Sequence, residues 1–348
     1  MAASANPLIE ATKVGSALCL YRRDTGALGL LNSAALSAFE SEGGHWGGAA
    51  WFSQPTRLAT PNSRPDFPLG APALEADLRL VTGPVVRLSC HDPLLGERLS
   101  QVLSPLGVAA VAEPTTSVVV ASNSDRTAFA IWRDGAIQAD SIPPAEIRRR
   151  VLVQIARSGY GAVEIATILH ASAVTMDHAA VLLVGRSGAG KSTLTAALVA
   201  AGSGYLADDL TPLTSDGRSV LPFPTALSVK AGAWSEVARA FAVLRTIEAR
   251  AVGSISVRYL PMPPSGASGP LRVETIVFPS FEPGSTTTLR QLSPEEAFAL
   301  LVDAGSEIVG ANPSARPLVK LAETASLVHL TYGKTRSAIA ALTHGRRP

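Results

Sequence analysis

Gly185-Arg186-Ser187-Gly188-Ala189-Gly190-Lys191-Ser192-Thr193 is the stretch on which the reading of this chain turns, and it fits G-x-x-x-x-G-K-[ST]. Ahead of it runs Ala179-Ala180-Val181-Leu182-Leu183-Val184, an apolar run of the kind that forms a strand buried on both faces. Behind it, Leu194 to Ala201 is rich in Ala and Leu, both strong helix formers. Strand, glycine loop and helix in that order are the setting in which this string binds phosphate. The glycines let backbone N–H groups turn inward, and the helix N-terminus adds partial positive charge. Lys191 is expected to reach the β- and γ-phosphates, and the Ser192 hydroxyl to sit on the metal. The plainer reading, a glycine turn before a helix, does not account for both flanks. The expected cofactors are ATP and Mg²⁺.

Composition bounds the rest. A chain of 348 residues with 47% hydrophobic residues is long and apolar enough for two or three domains with full cores. A formal charge of +2, with no basic block, argues against nucleic acid and against an anionic membrane as partner. Only five of the 30 basic residues are Lys, so a Lys in the glycine loop is not a matter of abundance. Cys19 and Cys90 form no motif, and no signal peptide precedes them; both are expected as reduced thiols in the cytoplasm. The longest early apolar stretch, Val14 to Tyr21, is too short to span a bilayer.

The pattern divides the chain into three regions. Residues 1–74 read as a hairpin (Leu18 to Tyr21, then Ala27 to Leu31), a short helix over Ala34 to Glu40, and a long loop carrying Trp46, Trp51 and Phe52. Residues 75–164 read as a small α/β unit with strands at Val85 to Leu88, Val118 to Ala121 and Ala128 to Trp132. Its helices are expected over Asp92 to Leu106 and Pro143 to Ser158. Residues 165–348 read as an α/β nucleotide-binding domain. In it, Ile168 to Val174 is expected as one strand, with further strands at Pro222 to Lys230, Ser254 to Leu260, Arg272 to Phe278 and Ser326 to Thr331. A capping box at Ser293 to Glu296 opens a helix, and Lys334 to Thr343 forms a closing one.

Asp208-Asp209 follows the apolar run Tyr205-Leu206-Ala207 after the loop helix. A carboxylate at the end of a neighbouring strand is where a phosphate-loop enzyme places its metal or base group, and two adjacent ones can divide those tasks. His170 stands on an apolar strand, where a histidine is commonly a satisfied core residue.

These residues carry a resemblance. The runs LHASAV, VLLVGRSGAGKSTL and LADDL resemble the C-terminal domain of HPr kinase/phosphorylase, a serine kinase of the phosphate-loop type. The resemblance covers about residues 165–230 well and the remainder of the C-terminal half loosely. It implies that His170 is the active-site histidine and that Asp209, 18 residues after Lys191, is the proton acceptor. It also implies that Asp208 is the acidic neighbour and that Ser192, with Asp208, holds Mg²⁺. The chain departs from the family at Thr193, where the family has glutamate. It also has Ala226 to Gly232 in place of E-[IV]-R-G-L-G, a segment tied to the reverse, phosphorolytic reaction. Those departures predict a forward-only enzyme with little transfer to folded HPr. The whole is more similar to HPr-kinase-related proteins of lasso-peptide gene clusters. Asp24 to Phe39, DTGALGLLNSAALSAF, resembles the opening of PqqD-type peptide-binding domains.

Phosphoryl transfer needs cations on the moving group. Arg258, in an otherwise apolar strand, is the favoured clamp, with Lys230 next and Arg272 third. The expected activity is transfer of the γ-phosphoryl of ATP to a serine of a peptide or protein, with self-association left open. A kinase of a hydroxyl-bearing small molecule and a nucleotide-binding regulatory ATPase are the alternatives.

Overall fold

The computed structural model describes residues 9–24, 26–31, 67–81, 83–309 and 312–344. Within them the chain is a mixed α/β structure with several sheets. The apolar run before the glycine loop forms strand Ala179–Val184, buried from its second residue onward. It pairs antiparallel with Ala171–Met176 and parallel with Leu271–Phe281. Beyond these, Gly204–Ala207 flanks one side. Ser326–Tyr332 runs parallel to Leu271–Phe281 on the other, and Thr288–Gln291 pairs with it. A buried strand with neighbours on both sides has no use for polar side chains, which is why its sequence shows no alternation.

The stretch from Ile168 to Val174, expected as one strand, is two. Ile165–Leu169 pairs with Thr211–Thr214 and Glu307–Ile308, whereas Ala171–Met176 pairs with Ala179–Val184 and Gly204–Ala207. The chain turns a corner at His170. Both halves are apolar and buried, so hydrophobic pattern alone runs straight through the corner. The strand expected from Pro222 is also shorter, Leu227–Lys230. Pro222 and Pro224 have no N–H to give a ladder, and between them Phe223 makes a single bridge to Ala207.

Residues 74–142 form a six-stranded sheet in the order Gly107–Val108, Leu74–Arg79, Val85–Cys90, Thr116–Ser122, Phe129–Arg133, Ala136–Ile142. Helices Pro93–Leu103 and Ile147–Ser158 carry their apolar sides, Leu95, Leu99, Val102 and Val151, Ile155, into the core. That core runs unbroken across the boundary at residue 164, joining Leu99, Val102 and Ile155 to Ile168, Leu213 and Phe223. Polar contacts cross there too: Ala226 N–H donates to the Val102 carbonyl at 2.8 Å, and the Tyr160 hydroxyl to the Pro222 carbonyl at 2.8 Å. A three-stranded sheet, Ile9–Val14, Ala17–Arg22 and Ala27–Leu31, packs on helix Arg316–Thr324. Its buried Glu10 accepts from Ser314 Oγ at 2.8 Å. The helix expected over Ala34 to Glu40, and Trp46, Trp51 and Phe52, lie outside the described residues. Cys19 and Cys90 are free and buried, and burial pushes their thiols up to about 12 and about 11. Among the described residues, no helix is long and apolar enough to cross a membrane.

Asp92 ties the six-stranded sheet together. It caps helix Pro93–Leu103 by accepting from Leu95 N–H at 2.8 Å, and also takes Ser122 Oγ at 3.1 Å and Arg126 Nη2 at 2.7 Å. Arg126 is partly solvated, so its share is modest. We expect Asp92→Ala to cost about 1–3 kcal/mol from the lost cap and the stranded donors, and Asp92→Asn to cost less. Urea midpoints at constant m-value measure both. Equal losses in the two variants would show that the cap is not what matters.

Candidate functional site

The glycine loop leaves strand Ala179–Val184 and enters helix Lys191–Ala200 through two left-handed residues, Gly188 at φ 94° and Gly190 at φ 93°. A Cβ at Gly190 would stand 2.4 Å from the Tyr332 hydroxyl oxygen, so both conformation and space demand glycine there. Lys191 opens the helix, almost wholly buried. Its Nζ donates to the Gly185 carbonyl at 2.7 Å, drawing the loop closed. Burial lowers its pKa, and the charges of Asp209 and Asp208 counter that in part.

Asp208 follows strand Gly204–Ala207 and is 3% exposed. Its Oδ1 accepts from Ser172 Oγ at 2.6 Å and from Ser192 Oγ at 3.3 Å, and its Oδ2 from Ser228 N–H at 2.9 Å. Burial, then the charge of Asp209, raises its pKa above the usual carboxylate range despite those donors.

Asp209 behaves oppositely. Its backbone is left-handed, φ 60°, which costs a non-glycine residue roughly 1 kcal/mol and turns its side chain away from that of Asp208. Its Oδ1 lies 3.7 Å from His170 Nε2. Burial pushes this carboxyl up, but His170 and the charges of Arg148 and Lys191 outweigh it and hold the pKa low. His170 Nδ1 sits 2.7 Å from the Ala304 carbonyl. A carbonyl only accepts, so Nδ1 is a donor there, and Nε2 is the nitrogen turned to Asp209.

These groups line one cleft of about 1010 Å³. Its floor is the glycine loop with Lys191, Ser192 and Thr193; one shoulder carries Arg148, His170 and Asp209. The far wall is a small sheet of Leu227–Lys230, Ile255–Leu260 and Arg250–Val252, with helix Trp234–Ala240. The other shoulder is Phe281 and Tyr332 to Arg336. Among its charged side chains Lys and Arg predominate: Arg148, Lys191, Lys230, Arg239, Lys334 and Arg336 stand against Asp209 and Glu236. Such a cleft concentrates anions.

The residues singled out in sequence do not all meet. Gly188, Gly190, Ser187, Lys191, Ser192, Thr193, His170 and Asp209 line the cleft, and Asp208 lies beneath. Arg186 points outward in an ion pair with Asp303, 2.7 Å from Nε to Oδ2. Gly185 contributes its carbonyl, and Ala189 N–H turns back to the Arg186 carbonyl at 3.2 Å. Arg258 corrects the sequence expectation. Its guanidinium lies 4.2 Å over the Trp234 ring, and Nη1 donates to the Leu244 carbonyl at 3.0 Å. Strand alternation puts its neighbours Val257 and Tyr259 into the cleft and Arg258 on the opposite face. Lys230 takes the place in the cleft, its Nζ bonded to Ser187 Oγ. Arg272 is on the part of its strand that pairs with Ser219 and does not line the cleft.

Arg148 was missed in sequence. It sits in the run Arg148-Arg149-Arg150, in helix Ile147–Ser158. Arg149 and Arg150 reach Glu307 at 3.2 and 2.8 Å, while Arg148 turns into the cleft. Three adjacent arginines cannot share a helix face, and that spacing was the available signal. Lys334 and Arg336, at the start of helix Thr335–His344, were likewise missed.

No family model and no curated protein matches the sequence. Among solved structures, the chain is similar to the Hpr(Ser) kinase/phosphatase from Coxiella burnetii. The identity is 14% and the TM-score 0.25, over 51% of this chain and 93% of that one. The likeness spans about half of this chain.

The close approach at Gly190 sets a test. Gly190→Ala should lower stability by roughly 2–4 kcal/mol, part from the left-handed backbone and part from the Tyr332 hydroxyl. Adding Tyr332→Phe removes the hydroxyl alone. The double variant should recover about half of the loss in a double-mutant cycle read by thermal unfolding. Strict additivity would show that the contact carries no energy.

Proposed function

We propose that the chain is an ATP-dependent kinase that transfers the γ-phosphoryl group to a serine hydroxyl of a peptide or protein. The observation that carries this reading is Ser192 Oγ set 3.3 Å from the buried carboxylate of Asp208, directly beneath the glycine loop. A hydroxyl and a carboxylate are the hard oxygen donors that Mg²⁺ takes from a protein of this kind, the remainder coming from phosphate and water. When bound, the ion would neutralise charge on the β- and γ-phosphate oxygens. Lys191 would exchange the Gly185 carbonyl for a phosphate oxygen, because its ammonium is desolvated and already at the loop. Lys230 and Arg148, both lining the cleft, supply further positive charge.

Asp209 is the group for the acceptor. It opens to the cleft while Asp208 does not, and His170 orients it from a position fixed by the Ala304 carbonyl. A serine hydroxyl bonded to Asp209 and aimed at the γ-phosphorus gives up its proton to that carboxylate as the new P–O bond forms and ADP leaves. An extended peptide is the acceptor best suited to such a cleft, since it can lay a hydroxyl in line without moving a folded domain. The sequence resemblance of Asp24 to Phe39 to a peptide-binding opening favours the same choice, and a ribosomal precursor peptide is the natural candidate. In place of the segment tied to phosphorolysis, Ser228 binds Asp208 and Lys230 bonds Ser187. The reaction is therefore assigned the forward direction.

Two variants test this. Lys191→Ala should lower turnover by orders of magnitude. Asp209→Asn should keep ATP binding and lose roughly two to four decades of transfer. Transfer is followed by mass spectrometry of a serine peptide offered beside a hydroxyl-bearing small molecule. Full activity in either variant would sink the reading. Phosphorylation of the small molecule alone, or hydrolysis without transfer, would move the chain to one of the two alternatives.

A further inference from the structure

The two shoulders of the cleft differ in chemistry. One is ionic, with His170, Asp209 and Arg148; the other presents an aromatic ring. Phe281 is 47% exposed, yet it is not on a loop. It is the last residue of strand Leu271–Phe281, paired in register with Tyr332 of strand Ser326–Tyr332. The pairing continues one step beyond, where Glu282 N–H donates to the Tyr332 carbonyl at 2.9 Å. Tyr332 is 1% exposed and supports the Phe281 ring at 5.4 Å between centroids, tilted by 56°. It also abuts Gly190 of the glycine loop. The other two aromatic rings lining the cleft, Tyr259 and Tyr332, are both buried.

A large apolar ring at the rim of a cationic cleft, about half exposed and backed by a second ring, offers a flat apolar face to whatever enters the cleft. The ligand of a phosphate-binding floor has one flat apolar part, its base. In the sheet, strand Gly204–Ala207, which leads into Asp209, and strand Leu271–Phe281 lie on opposite sides of strand Ala179–Val184, which feeds the glycine loop. A nucleotide whose γ-phosphate is at Asp209 therefore has its far end free to lie on the Phe281 side.

We propose that Phe281, braced by Tyr332, is the platform on which the nucleotide base stacks. The γ-phosphate then points to Asp209 and the base to the opposite shoulder. Stacking on a flat ring recognises any base by its face, so the platform gives affinity for a nucleoside triphosphate over a bare polyphosphate and little choice among bases. Phe281 loses no side-chain freedom on binding, because the strand end and Tyr332 already hold it.

The inference rests on the nucleotide reading above, and its test separates the two. Binding of ADP, ATP and inorganic tripolyphosphate is measured by calorimetry for the full chain and for Phe281→Ala, Phe281→Leu and Phe281→Trp. Folding of each is checked by circular dichroism. Phe281→Ala is expected to weaken ADP and ATP by about tenfold or more while leaving tripolyphosphate unchanged. Phe281→Leu keeps apolar bulk against Tyr332 without a π-face; it should lose nearly as much, and Phe281→Trp should retain affinity. Nucleotide affinity unchanged in both Phe281→Ala and Phe281→Leu overturns the platform and leaves the kinase reading standing. Equal weakening of tripolyphosphate and ATP also overturns it, since the ring would then act through the loop. If the unaltered chain binds neither ATP nor tripolyphosphate, the platform falls together with the nucleotide site.

Discussion

Everything at the site depends on the buried carboxylate of Asp208. It accepts from Ser172 on one strand, Ser192 on the loop helix and the backbone of Ser228 on the far wall. Three segments well separated in sequence therefore meet at one side chain. A carboxylate removed from water must be given donors or a counter-charge, and here the donors are two hydroxyls and one amide, with Lys191 nearby. Burial and the neighbouring charge of Asp209 outweigh those donors, and the raised pKa follows. The same arrangement leaves Asp208 able to gain from a divalent ion, which would supply the missing positive charge.

Next in the chain, Asp209 uses a backbone conformation that aspartate tolerates better than most residues. That single left-handed step separates two adjacent carboxylates into different surroundings, one beneath the loop and one in the cleft. Were both in extended backbone they would also point to opposite sides of a strand, but the second would then have no reason to meet His170. The corner at His170 is the matching feature on the neighbouring segment. By ending one strand and starting another, it brings the imidazole out of the sheet to the same shoulder. The structure thus spends one irregular residue on each of two segments to make a single contact of 3.7 Å.

Much of this was legible in the residues. The strand, glycine loop and helix around Lys191 carry strong local signals, because six apolar residues, two obligatory glycines and an Ala-rich run each restrict the backbone by themselves. That Ser192 and Asp208 serve one site was implied by the family resemblance and not by the local pattern, which says nothing of their 3.3 Å contact. The break at His170 was not visible, because an apolar pattern reports burial and not direction. Arg258 misled for a related reason. An arginine between apolar residues of a strand must leave the core, but the two faces of the small sheet look alike in sequence, and only the packing of Trp234 decides which face Arg258 takes. Arg148 stands more than twenty residues before His170, in the region ahead of residue 164, so its arrival in the cleft is a product of the core shared across that boundary.

The low pKa of Asp209 sits uneasily with a proton-accepting role until its causes are separated. Burial alone would raise it; His170, Arg148 and Lys191 pull it down. On the proposed reading, the two cations among them, Lys191 and Arg148, have a stronger partner waiting. A triphosphate carries about four negative charges, and Lys191 and Arg148 both face the volume it would fill. Once they turn to phosphate, their hold on Asp209 weakens while its burial persists. The carboxylate then rises in basicity at the moment a hydroxyl is placed against it. His170, anchored at Nδ1 to the Ala304 carbonyl, is the one partner that stays. In the free protein the cations keep Asp209 charged and in place, and the substrate itself removes them. A carboxylate already neutral in the empty cleft would have no attraction for Lys191 and Arg148, and the cationic floor would be left with its own repulsion.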